Sequence, residues 1–304
     1  MSHPPPARPE TGAGFRIERA TISLAPRTLS HCLDLAAMFY GRRLRDILRL
    51  WACFAVPCCL AAWWLAARWQ LDVRTVLGLV YFASLPMGVL LVAGAAASSF
   101  GGDQRGGFVR FDRRVLRLLG PGMFRRLVIA VGPALVLFPA HWSLVLLGLA
   151  ACLFPSAWLL VRTGFAAEES LLAELDHRHH GRRVRELVRG ETADLCVRGV
   201  MLLAFCLLVG VVLFLTVDGA SGQFFQFPIF VERVTDGEIL GDEAAAYLFT
   251  SPRTLVPLAA VILLVYPLGR LAWFFCYIDI RVRRDCWDVE LLMTREALRL
   301  EGQS

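Results

Sequence analysis

Apolar residues in this chain gather into blocks about as long as a bilayer is thick, separated by stretches dense in arginine. The last block, Leu255 to Phe275, is apolar apart from Arg270. A hydrocarbon core of ~30 Å needs ~20 such residues at helical rise, so this block predicts a spanning helix. Similar blocks predict spans at about 50–69, 76–97 and 199–217. Residues 127–161 are too long for one span; a break at Pro139-Ala140-His141 gives spans at about 123–139 and 142–161, with Pro133 kinking the first. The expectation is an all-α polytopic membrane helical bundle of about six transmembrane helices. It forms one domain over residues 27–292, flanked by a disordered cytoplasmic tail at 1–26 and a cytoplasmic tail at 293–304.

Two or three further segments are amphipathic instead of uniformly apolar. Over residues 27–48, Leu29, Leu33, Ala36, Ala37, Tyr40, Leu44 and Ile47 share one helical face, while His31, Asp34, Arg42, Arg45 and Asp46 lie opposite. Such a helix lies either on the membrane interface or on other protein segments; the pattern is the same for both. Over residues 108–119, Arg110, Arg113, Arg114 and Arg117 form one stripe and Phe108, Phe111, Val115, Leu118 and Leu119 the other. These four arginines, with Arg42 and Arg45, are candidates to hold anionic lipid head groups, each worth ~1 kcal/mol near such a surface. A solvated charged face is the plainer reading. The third segment follows the last span. Asp279/Arg283, Arg281/Asp285 and Arg284/Asp288 stand four apart and Glu290 follows, so the helix should continue into the cytoplasm as a docking or bundle-locking element.

Composition agrees with a bilayer as solvent: the 304 residues are 57% hydrophobic, with a mean hydropathy of +0.56. All 32 basic residues are arginine and the formal net charge is +6. The arginines flank apolar blocks, which suits anionic lipid better than nucleic acid. Only Arg68, Arg74, Arg233 and Arg253 fall in the expected outer segments, leaving 28 of 32 inside. That asymmetry predicts a multi-pass inner-membrane protein with both termini cytoplasmic. The nine cysteines show no metal spacing and imply no disulfide framework.

Candidate chemistry is sparse. His177, His179 and His180, near Glu168, Glu169, Glu174 and Asp176, are the only grouping that resembles a metal site, but arginines on both sides repel a cation and favour a hydrated hinge. Arg270 is the ionisable residue within the sixth span; no acid in the outer parts of the spans offers it a partner, and at ~7 Å from the inner boundary it can snorkel as an anchor. The outer segment 218–253 carries Phe224, Phe225, Phe227 and Phe230, suited to the outer interface. Gly41 to Arg49 matches Gly181 to Arg189 in residue type, a trace of duplication or a convergent basic helix. Phosphate-cradling, nucleophile-elbow and zincin motifs are missing from the sequence, and no cofactor is called for.

Three stretches carry a likeness: APRTLSHCLDLAAMFYGRRLRDIL near the start, FAAEESLLAELDHRHHGRRVRELVRG in the middle, and YIDIRVRRDCWDVELL at the end. Together they resemble the bacterial family named after the membrane domain of glycerophosphoryl diester phosphodiesterases. Asp285 stands where that family has Glu, and Cys286 where it has Gly. The resemblance implies an integral membrane protein without the catalytic barrel, whose metal-binding domain does not fit between these spans. The first functional reading is therefore a non-enzymatic scaffold or accessory subunit of a membrane complex, with membrane lipids and a membrane-protein partner. Arg270, Asp279, Arg281, Arg283, Arg284, Asp285, Asp288 and Glu290 are its interaction or structural residues. A transporter or lipid-handling permease is the alternative, and an intramembrane enzyme the third.

Overall fold

The structure is a computed structural model that describes residues 28–69, 73–99, 113–137, 164–172, 186, 188–225, 229–230 and 242–285. Eight helices are described: α1 (Leu29–Arg42), α2 (Leu44–Trp69), α3 (Val73–Ser99), α4 (Arg113–Leu137), α5 (Ala166–Leu172), α6 (Thr192–Phe225), α7 (Asp242–Thr250) and α8 (Pro252–Asp285). The described residues contain no strand. Four helices, α2, α3, α6 and α8, are long and apolar enough to cross a membrane. They fall on four of the expected spans. The expected span at 123–139 falls largely on α4, and the one at 142–161 lies outside the described residues, as do the two expected tails.

The bundle is built around α8, which packs against α1, α2, α3, α6 and α7. From Leu271 to Val282 every residue of α8 is buried, Asp279 and Arg281 included. A helix enclosed on all sides has no face to spare for solvent, and the sequence shows why it can be: Trp273, Phe274, Phe275, Tyr277, Ile278 and Ile280 point all round it. Side chains of α1 and α2 reach the backbone of α8 at one-turn intervals. The Tyr40 hydroxyl donates to the carbonyl of Leu264 at 3.1 Å and Trp51 Nε1–H to that of Ala260 at 3.0 Å, while Cys59 Sγ sits 3.7 Å from that of Val256. These carbonyls lie on one side of α8 and pin its register. Burial pushes the Tyr40 phenol above its ordinary value, which keeps it a donor.

The structure departs from the sequence pattern at three joints. The amphipathic helix expected over 27–48 is broken at Arg43, whose backbone leaves the helical region (φ −111°, ψ 21°), so Leu44 to Leu48 begin α2. The buried stripe of α1 runs through Cys32 and Ala36, flanked by Phe39 and Tyr40, while Ala37 is exposed; it lies on protein, against α8. Secondly, the helix expected to end at 119 and the span expected from 123 form the single helix α4. It passes through Gly120-Pro121-Gly122, where a Cβ on Gly122 would come within 3.1 Å of Leu85, so glycine lets α4 close on α3. Thirdly, the loop expected from Asp218 starts later, because α6 runs on to Phe225. The buried Asp218 carboxylate accepts the N–H groups of Ile229 at 3.2 Å and Phe230 at 2.9 Å, tying the chain that follows α6 back to it.

Small residues set the approach of α3 to its neighbours. Gly88, Gly94, Ala95, Ala96 and Ser99 are all buried. A Cβ on Gly88 would overlap the Tyr266 hydroxyl and stand 3.1 Å from its ring carbon Cζ. Replacing Gly88 by alanine should therefore destabilise the fold by about 1–3 kcal/mol. In detergent, thermal unfolding of Gly88→Ala should drop, and Gly88→Ala with Tyr266→Phe should lose less than the sum of the single changes. Strict additivity would mean the contact is not made.

Candidate functional site: a charge network on the last helix

The residues most dense in charge on α8 meet partners from α5, α6 and the turn before α6. Glu168 and Glu169 are neighbours on α5, so they leave that short helix about 100° apart and reach different levels of α8. Glu168 forms an ion pair with Arg270 through Oε1 and Nη1; its carboxylate is fully buried and the Arg270 side chain only 14% exposed. Two turns further along α8, the Tyr277 hydroxyl donates to Glu169 Oε2 at 2.5 Å. Arg281 Nη1 donates to that same hydroxyl oxygen at 3.1 Å and lies 3.8 Å from Glu169. Arg270, Tyr277 and Arg281 stand at i, i+7 and i+11, one face of a 3.6-residue helix. Phe165 completes the seat of α5: its ring stacks on Trp273, with centroids 4.9 Å apart and planes 19° apart.

A second face of α8 meets α6. Arg198 donates through Nη1 to Asp279 Oδ2 at 2.8 Å and pairs through Nε with Asp194 at 2.7 Å. Arg283, one turn beyond Asp279, donates to its other oxygen at 3.1 Å. Asp279 thus holds two arginines, one from its own helix and one from α6. Arg284 reaches the turn before α6, donating to the carbonyls of Arg189 at 2.5 Å and Glu186 at 3.3 Å, with Glu191 3.8 Å away. Gly190 stands in that turn with φ +93°, a backbone shape that L side chains rarely adopt, and a Cβ there would be 3.1 Å from Arg284 Nη2.

A third polar joint ties α3, α4 and α8. Arg126 Nη1 donates to Ser84 Oγ at 2.7 Å and to the Tyr81 carbonyl, Nη2 donates to the Tyr266 hydroxyl at 3.2 Å, and the guanidinium lies over the Tyr81 ring at 4.9 Å.

Of the residues singled out in the sequence, Arg270, Asp279, Arg281, Arg283 and Arg284 are therefore each held by a partner on α5, on α6, on the turn before α6 or on α8 itself. Arg270 is not left to snorkel alone; its partner comes from outside the spans, which is why the spans offered none. Asp285 closes α8. Asp288, Glu290, Arg110, His177, His179 and His180 lie outside the described residues. Arg113, Arg114 and Arg117 sit on the first turns of α4, and Arg42 and Arg45 are exposed on either side of the α1–α2 break. Glu168, Glu169, Arg198, Tyr277 and Arg126 were not singled out for this role. Their available signal was position: an acid pair behind the apolar Phe165-Ala166-Ala167, and an arginine at the head of the most apolar span. Among the described residues no group of three His, Cys, Asp or Glu side chains is placed to hold a metal.

Comparison of the chain with protein-family models, with curated proteins and with solved structures finds no match in any of the three.

Chemically, the network neutralises buried charge across helix contacts. An ion pair enclosed this way contributes little net stability over an apolar pair, but removing one partner leaves an uncompensated charge and costs about 3–5 kcal/mol. Glu168→Gln or Arg270→Gln should each lower the unfolding temperature markedly in detergent, and the double replacement should recover part of that loss. Equal and additive losses would show that the two groups do not act as a pair.

Proposed function

We propose that the protein is a non-enzymatic scaffold or accessory subunit of a membrane complex, embedded by about six spans with both termini cytoplasmic. The observation that carries this reading is the complete enclosure of α8 between Leu271 and Val282, with Asp279 and Arg281 inside. The charges of that stretch meet partners within the chain and hold helices together, which is what a structural subunit asks of them. The position of Arg270 favours the same reading over transport. A passage there needs room, yet a Cβ on neighbouring Gly269 would stand 2.9 Å from Cys206 Sγ, and Tyr266 fills the space at Gly88. The two spans beyond the four long apolar helices are those expected at 123–139 and 142–161. The inner-membrane setting rests on the arginine asymmetry, and the family proposal on the three stretches that resemble the phosphodiesterase membrane domain.

The outward face of α6 suits such a role. Of its apolar side chains between Val197 and Val217, only Leu202 and Phe214 are buried. Lipid or another membrane helix satisfies that surface equally well.

The full chain, extracted from its native membrane in mild detergent, should co-purify at fixed stoichiometry with another integral membrane protein. The complex should survive exchange into fresh detergent. A lone, monodisperse protein that moves a solute or a lipid across proteoliposomes would overturn the scaffold reading in favour of transport.

A further inference from the structure

The arginines of the bundle differ in one respect: most of those that are buried have a carboxylate, and the half-buried Arg126 has none among the described residues. Arg198, Arg270 and Arg281 each pair with an aspartate or glutamate. Arg126 is half-buried between α3, α4 and α8, and its partners among the described residues are neutral: the Tyr81 carbonyl and ring, Ser84 Oγ and the Tyr266 hydroxyl. Its neighbour Arg125 donates through Nε to the Pro121 carbonyl at 3.2 Å and likewise faces no carboxylate among these residues. A guanidinium has five N–H donors. Both on Nη1 and one on Nη2 are taken, which leaves Nε–H and one Nη2–H, enough for a two-point grip on an anion.

What borders Arg126 says which anion. Met123 and Leu127 lie one turn apart on α4 beside it, 40% and 58% exposed, and Phe124 next to them is 68% exposed. A fixed cation with free donors, bordered by an exposed apolar strip on a helix of a membrane bundle, matches an amphiphile with an anionic head. We propose that Arg126 is the head-group clamp of an anionic phospholipid site, gripping one phosphodiester while an acyl chain runs along Met123 and Leu127. Tyr81, Ser84 and Tyr266 act as positioning residues that hold the guanidinium at the edge of the bundle. The site stands whether the protein is a scaffold or a transporter, since it uses none of the groups that lock α8 to α5 and α6.

Native mass spectrometry of the delipidated full chain tests it, with phosphatidylglycerol, diacylglycerol of the same chains and glycerol phosphate as probes. Wild-type protein should retain phosphatidylglycerol at least about tenfold better than either other probe, because neither carries both phosphate and chain. Arg126→Gln should remove most of that preference, and Arg126→Lys, which keeps the charge but loses the fork, should fall between. Arg68→Gln, at the exposed end of α2, should leave it unchanged. Leu127→Glu sets a like charge beside the phosphate from an exposed position, and should abolish retention even if Arg126→Gln fails to fold. Unchanged retention in Arg126→Gln or Leu127→Glu, or equal binding of diacylglycerol, would overturn the clamp. Glycerol phosphate bound as well as the lipid would replace it with a soluble-phosphate site.

Discussion

A charge taken out of water inside a helical bundle has to be met by an opposite charge or by hydrogen bonds, and in this protein that demand falls on one helix. Asp279 and Arg281 sit in the fully enclosed stretch of α8, with Arg270 one residue before it. None of the three can be satisfied by α8 alone, because each needs more donors or acceptors than its neighbours one turn away supply. The position of α5 follows from Arg270 and Arg281, and that of the start of α6 follows from Asp279. Apolar helices in lipid gain little from one register over another, since lipid tails are as apolar as leucine. Ion pairs with defined geometry remove that freedom.

The rest of the bundle is arranged around the same helix by weaker means. Tyr40, Trp51 and Cys59 set α1 and α2 against its carbonyls, and the glycines at 88 and 269 bring α3 and α6 close to it. Towards the outside lie α4, which packs on α3 and α5, and α6, which touches α8 along one edge and leaves most of its apolar side chains open. An internal helix that is polar at its contacts and an outer helix that is apolar on its free face is the arrangement a bilayer favours: ionisable groups face protein, and hydrocarbon faces hydrocarbon.

Much of the helical architecture was legible because a span has a length that composition alone reveals. Leu50 to Trp69 or Gly199 to Val217 can be read without any knowledge of packing, and the helices found there extend past the spans at one or both ends. Helix ends were less legible, since they depend on contacts remote in sequence. Asp218 reads as the start of a loop until its carboxylate is seen accepting Ile229 and Phe230, and Arg43 reads as helix until Cys32 and Ala36 are turned onto α8. The network was half legible. Asp279 and Arg283 stand at i, i+4 and bond to each other, a local contact that spacing makes visible. Glu168 to Arg270 spans 102 residues and Arg198 to Asp279 spans 81, and no periodicity links positions so far apart.

Arg270 and Arg126 show two fates of an arginine enclosed or half-enclosed by this bundle. Both are arginines on long helices and both lie near Tyr266, but the sequence pattern draws attention to Arg270 alone. Intramembrane charge is a functional signal when something outside the chain must complete it, and a structural one when the chain completes it itself. Arg270 has Glu168, and its charge is spent on holding α5 to α8. Arg126 has a carbonyl, two hydroxyls and a ring, which orient its guanidinium without neutralising it. Desolvating a cation halfway and leaving it unbalanced is unfavourable unless an anion arrives from the surroundings, and in a bilayer the anion at hand is a phosphate. Among the described residues, the two arginines thus differ by the presence or absence of one acidic partner.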